Sequence, residues 1–250
     1  MVLPDLGAVV LPVFTPDACV VIARLKTGDD NHDVVNKYLS QLRPCDVKIL
    51  RAVYEEAMQT IGKLASDMLR SVSKAIQNVA RRRGTCIDKL GPEYVDEVEK
   101  ETIKISKGKH EGFYISVFQI MRSMCRTINP YKSLSIVVDM VKNQDEGMLR
   151  NLFYIKDSSK DCLSCTDEET AMKGSVGDFL KKSDQFFGER KHDMDLKIAV
   201  ELITIGTRNE IDKLVFVTLD KEFYDVLSRV LKTTEHPFNV DKLSVELLCS

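Results

Sequence analysis

The sequence has no long hydrophobic run, no disulfide-like cysteine pattern and almost no net charge, and each absence removes a class of protein. Its most apolar stretch, around residues 8–14, is interrupted by Pro12 and preceded by Asp5 rather than by a basic segment. Neither a membrane span nor a signal peptide is therefore expected, and a cytoplasmic or nuclear setting is the expectation. The seven cysteines, at positions 19, 45, 86, 125, 162, 165 and 249, are odd in number and scattered, which predicts reduced thiols. Cys162 and Cys165 form one CxxC, but a zinc site needs four ligands and no second CxxC or HxxxH accompanies it, so the pair reads as two loop cysteines. A net charge of −2 excludes a protein that grips nucleic acid over its whole surface. The balance is uneven, with 16 Lys and Arg against 11 Asp and Glu over residues 57–155, leaving the remainder at −7. No P-loop, GxGxxG or Ser-His-Asp arrangement is present.

What is there is a 250-residue chain, 44% hydrophobic and 30% charged, enough for one enlarged domain or two small ones. Val9 to Pro16 is apolar and β-branched and reads as a buried strand stopping before Asp17. Helices are expected over 18–25 and 33–42, and a short strand over 47–50. A long helix carrying Glu55 and Glu56 follows, with one apolar face from Ile61 to Val79 and a stop at Gly84. A second apolar face runs from Tyr114 to Ile128, and the two faces either pack on each other, the preferred reading, or serve a homodimer or protein partner. Short helices are expected over 133–141 and 147–154, a flexible loop over 156–177, and helices over 178–187 and 195–205. A strand over 214–218, a helix over 222–231 and a final strand or extended tail over 238–248 complete the order. Strands separated by helices predict an α/β fold with a central, mainly parallel sheet between helical layers, α/β/α. Its parts are a core of 1–60 with 190–250 and a mostly helical insertion of 61–189.

Four acids fall at element ends: Asp17 after the first strand, Glu56 on the helix after the second, Asp195 at a helix start, and Asp220 after the strand Leu214–Thr218. In a parallel sheet the carboxyl ends of strands converge on one edge, so these acids would gather and repel. A hard divalent cation, Mg²⁺ or Mn²⁺, resolves that repulsion through oxygen ligands. Each acid also has a plainer role: a cap for Asp17, a solvated helix position for Glu56, a dipole-stabilised first turn for Asp195, a turn for Asp220. Glu55 and Asp193 are alternatives to Glu56 and Asp195. Thr218 and Glu222 are candidates to assist Asp220.

The joint pattern resembles the PIN-domain nuclease family over residues 8–60 and 190–248. The matching segments are Phe14-Thr-Pro-Asp17-Ala-Cys-Val-Val-Ile-Ala, Ile49-Leu-Arg-Ala-Val-Tyr-Glu-Glu56, Asp195-Leu-Lys-Ile198-Ala199 and Val217-Thr-Leu-Asp220-Lys-Glu-Phe223. The resemblance implies a PIN-like fold and metal-dependent hydrolysis of RNA, most simply single-stranded, by an RNA-processing or toxin-like endoribonuclease. It implies Asp17, Glu56 and Asp195 as principal metal ligands, with Asp220 a ligand directly or through water, and a metal-activated water as nucleophile. The chain departs from the family at Ala18 and Cys19, where many members carry a hydroxyl and an Asn or Ser, so the support of Asp17 is altered. The competing expectation is an inactive PIN-like scaffold that binds RNA or protein. None of His32, His110, His192 and His236 is required for this chemistry; His192, near Asp195, reads as a surface residue.

Overall fold

The computed structural model describes residues 12–26, 29–87, 92–107, 114–115, 118–119, 122, 130–233 and 237–248. The fold is α/β, with a small parallel sheet and a majority of helix. Two compact units divide the chain: a sheet unit of residues 1–24, 33–57 and 151–250, and a helical unit of residues 25–32 and 58–150. Residues 151–189, grouped with the insertion by sequence, fall in the sheet unit.

In the sheet unit, β1 (Val13–Pro16), β2 (Leu214–Thr218) and β3 (Leu243–Leu247) form a parallel sheet in the order β1-β2-β3. Val13 pairs with Leu214 and Pro16 with Val217; Leu214 pairs with Leu243 and Thr218 with Leu247. All five β2 residues are buried, as a central strand of Leu-Val-Phe-Val-Thr composition requires. The strand expected over 47–50 is instead a pair of isolated parallel bridges, Phe14 with Val47 and Leu50 with Leu163.

Helices α1 (Ala18–Leu25) and α2 (His32–Ser40) follow β1. Val20, Ala23 and Val35 from these helices bury against Val215 and Val217 of β2. Helix α3 (Arg51–Arg83) is the long helix expected, ended by Gly84 at φ 61°, where a residue without Cβ turns the chain at no steric cost. Its face from Ala65 to Val79 packs within the helical unit on Val95 and Val98 of α4 (Val95–Ser106) and on Tyr114 and Phe118. This is the intramolecular alternative for that face; most of the expected helix over 114–128 lies outside the described residues.

The next stretch corrects two expectations. One continuous helix, α5 (Pro130–Leu152), replaces the two short helices and runs through Gly147. The expected loop over 156–177 holds the single turn α6 (Ser158–Asp161) and the first half of α7 (Thr170–Ser183). Val176 and Leu180 of α7 are buried, and Gly177 lies 3.6 Å from the Val200 side chain by its Cβ direction, so tertiary packing overrides a Ser-, Lys- and Gly-rich composition. The single turn α8 (Gln185–Gly188) leads to α9 (Asp193–Gly206), which is buried from Ile198 to Gly206 except at Val200. Helix α10 (Lys221–Leu231) packs Phe223, Val226, Leu227 and Val230 inward. Phe223 meets Phe216 of β2 edge-on at 5.7 Å, a contact worth about 0.5–1.5 kcal/mol beyond burial.

Candidate metal centre

The first acid is fixed by the strand it terminates. Asp17 follows Pro16, and its N–H donates to Val217 O at 2.8 Å, so the β1–β2 ladder carries it to the carboxyl end of the sheet. Its side chain is only 6% exposed, yet it is met by uncharged donors. Ala18 N–H reaches Oδ1 at 2.7 Å; the Thr218 hydroxyl and the Cys19 thiol reach Oδ2 at 2.7 and 3.1 Å. A carboxylate has about four acceptor positions, and three are used, which leaves one on Oδ1.

Thr218 links two of the acids. Asp220 N–H donates to Thr218 Oγ1 at 2.9 Å, so the single hydroxyl proton is committed to Asp17. Cys19 adds a second tie, donating to Asp17 and accepting the Leu219 N–H at 3.3 Å. Cys19 thus supplies a thiol donor to Asp17 two residues along the chain. Burial and the neighbouring Asp17 charge push that thiol up to about 12, so it is a hydrogen-bond donor at neutral pH.

Asp220 caps α10, accepting the Phe223 N–H at 2.9 Å on Oδ1, and is otherwise exposed. Asp195 sits half-buried in the first turn of α9, with His192 Nδ1 3.2 Å from its Oδ2. Burial pushes the Asp17 carboxyl above the usual carboxylate range, against its three hydrogen bonds, and the charge of Asp195 pushes the same way. Asp195 is raised chiefly by burial; His192 opposes this, while Asp220 and Glu222 add to it. Asp17 and Asp220 thus stand just past the carboxyl ends of β1 and β2, and Asp195 in the first turn of α9.

The other sequence candidates are placed differently. Glu55 is claimed by Arg51 at 2.9 Å and by Lys197, and these cations outweigh its burial and hold it below the usual range. Glu56 lies half-buried one position further along α3. Asp193 is exposed in the turn that carries Asp195. Among the described residues no three His, Cys, Asp or Glu side chains stand close enough to ligate one ion together. Asp17 keeps an open acceptor position, and the acids are of the oxygen-donor type that hard divalent cations take, but as placed they do not form a ligand set.

Two features escaped the sequence reading. His192 is half-buried and stacks on Phe186 with ring centroids 3.8 Å apart. With Phe186, Lys221 and Glu222 it lines an open cleft of about 600 Å³ beside the acids. Glu201, 6% exposed, accepts the Ala52 N–H at 2.8 Å and so caps the first turn of α3 from α9; burial raises its carboxyl despite that bond. An acid inside the apolar run Ile198-Ala-Val-Glu201-Leu-Ile was its only sequence signal.

Cys162 and Cys165 are reduced, with burial lifting both thiols to about 11. No helix among the described residues is long and apolar enough to cross a membrane. Comparison of the chain with protein-family models, with curated proteins and with solved structures gave no match to any of them.

Proposed function

We propose that this protein is a PIN-like, metal-dependent endoribonuclease that hydrolyses phosphodiester bonds of single-stranded RNA, with Asp17, Asp195 and Asp220 holding Mg²⁺ or Mn²⁺. The observation that supports this reading is the placement of Asp17 and Asp220 just past the carboxyl ends of β1 and β2, joined through the Thr218 hydroxyl, where parallel α/β sheets place their ligands. Mutually repelling acids, two of them desolvated, cost stability unless a function retains them. When bound, the cation supplies an acidified water for attack and positive charge opposite the phosphoryl oxygens. The chain's own residues do the holding. Thr218, Cys19 and the Ala18 N–H fix the Asp17 carboxylate and leave Oδ1 one open position. Thr218 also fixes the backbone of Asp220, whose Oδ1 caps α10. Glu56, the further ligand that the resemblance implies, lies half-buried on α3.

The lack of three acids within common ligating distance among the described residues favours a second reading, an inactive RNA- or protein-binding scaffold. The two separate when the purified protein is incubated with labelled single-stranded RNA and Mn²⁺ or Mg²⁺ beside Asp195→Asn and Asp220→Asn. Cleavage by wild type, lost in both variants and in chelator, is expected. Equal cleavage by all three sinks the assignment, and no cleavage together with no calorimetric heat of Mn²⁺ binding transfers the case to the scaffold.

A further inference from the structure

We propose that the groove around Tyr154 in the sheet unit is a binding site for single-stranded nucleic acid, in which the Tyr154 ring stacks on a base while Arg24 and Lys48 meet phosphates on either side of it. Leu39, Leu42, Pro44, Val47, Phe153 and Tyr154 line two adjoining hollows of about 360 and 410 Å³, and the last four form a wall common to both. Arg24 borders the first hollow and Lys48 the second, and no Asp or Glu borders either. Among the described residues neither cation makes an ion pair. Asp46, beside Val47 in the chain, is already bound by Arg43 through both of its carboxylate oxygens, at 2.8 Å each. The groove is thus apolar along its walls and positive at both ends, which suits flat bases strung on phosphates.

The backbone at Tyr154 is strained. The residue lies just past the end of α5 at φ 54°, with its N–H donating to Asn151 O at 3.4 Å. Gly or Asn takes this left-handed, helix-ending conformation readily, whereas a bulky side chain seldom does. The ring gains little from the core in return, since Tyr154 is 66% exposed, more than any other large apolar side chain among the described residues. Its neighbour Phe153 is buried and does the packing. A strained, exposed aromatic ring beside a groove is not explained by folding, and a stacked ligand explains it. The groove also stands apart from the acids: Val47 pairs with Phe14 near the start of β1, whereas Asp17 follows its end. Binding there needs no metal and does not depend on what Asp17, Asp195 and Asp220 do.

The test measures binding of a short fluorescein-labelled single-stranded RNA by anisotropy, with EDTA present so that nothing is cut, for the full chain and for Tyr154→Gly, Tyr154→Phe and Lys48→Ala. Tyr154→Gly removes the ring and suits the backbone, so it is expected to keep its melting temperature by circular dichroism while its affinity falls roughly 5- to 150-fold. Tyr154→Phe keeps a stacking face and is expected to bind like wild type. Lys48→Ala is expected to bind more weakly and to flatten the slope of log affinity against log salt by about 0.7. Equal affinity in wild type and Tyr154→Gly, or equal competition by a duplex of the same sequence, overturns the stacking role. No binding by wild type overturns the site and leaves the groove to a protein partner. If wild type binds the RNA, Tyr154→Gly does not, and no metal ever supports cleavage, the nuclease reading fails and this site stands.

Discussion

Glu97 and Glu101 of the helical unit each meet arginine: Glu97 binds Arg82 and Arg83, and Glu101 binds Arg82 and the amide of Asn78. Both carboxyls are held below the usual range by those bonds. Asp17 and Asp195 of the sheet unit are built the opposite way, met by a hydroxyl, a thiol, a backbone N–H and a histidine, crowded by other acids and lifted by burial. Paired surface charges on α3 and α4 serve cohesion and solubility. Desolvated, mutually opposed charges serve the fold poorly and mark where a ligand is expected.

The contrast can be broken at several points, the largest first. Asp17→Asn removes the buried centre of the acid set and is expected to lower Mn²⁺-dependent RNA cleavage by more than about 100-fold, beyond the range of outer partners. Glu101→Gln is expected to leave that rate unchanged; comparable losses in both variants, measured in single-turnover assays, would erase the distinction between the two regions.

Next in size is the response to metal. At Mn²⁺ a hundredfold above Kd, the protein is expected to gain about 2.7 kcal/mol of stability, read as a rise in denaturant midpoint that Asp195→Asn lacks. Without metal the order of the two proteins reverses. The Asp195 carboxyl is raised in the folded state, so its contribution to stability is present below the ordinary aspartate pKa and lost as pH rises through the folded value. Metal-free Asp195→Asn is therefore expected to melt above wild type at neutral pH, and melting curves across pH 3–8, roughly spanning the carboxylate range, check the sign.

A smaller effect comes from a conventional pair in the same sheet unit. Arg208 binds Glu169 at 2.8 Å in a two-pronged contact and also donates to Ser164 O, holding Glu169 down to about 2. This depressed group contributes stability above the ordinary glutamate pKa, and the contribution is lost as pH falls towards the folded value. Arg208→Ala is expected to cost about 1–2 kcal/mol at pH 7, allowing for screening at a partly exposed pair, and less at pH 3. Smallest is Glu97→Gln on the helical unit, expected to cost under about 1 kcal/mol and less in high salt.

Strand β2 was readable because Leu214–Thr218 is a short β-branched run bounded by polar residues, and α3 because its apolar period persists to Gly84. The parallel pairing followed from strands separated by helices. Local pattern failed at two places: α7 forms despite its composition because Val176 and Leu180 bury, and α5 runs on through Gly147. Asp17, Asp195 and Asp220 were legible as acids at element ends. Thr218 was foreseen as an aid to Asp220, but not as the donor that joins Asp220 to Asp17. The pairing of Glu55 with both Arg51 and Lys197 was not legible, because Lys197 is remote in sequence. The stacking of His192 on Phe186 was not legible, because the place of Phe186 is set by the aromatic cluster.

The most direct test of the central claim is anomalous diffraction from crystals grown with Mn²⁺. The account predicts one strong manganese peak at the carboxyl edge of the sheet, roughly 2.1 Å from an oxygen of Asp17 and of Asp195, with Asp220 bound directly or through water. A peak bound elsewhere, or an empty carboxyl edge at saturating Mn²⁺, would contradict it.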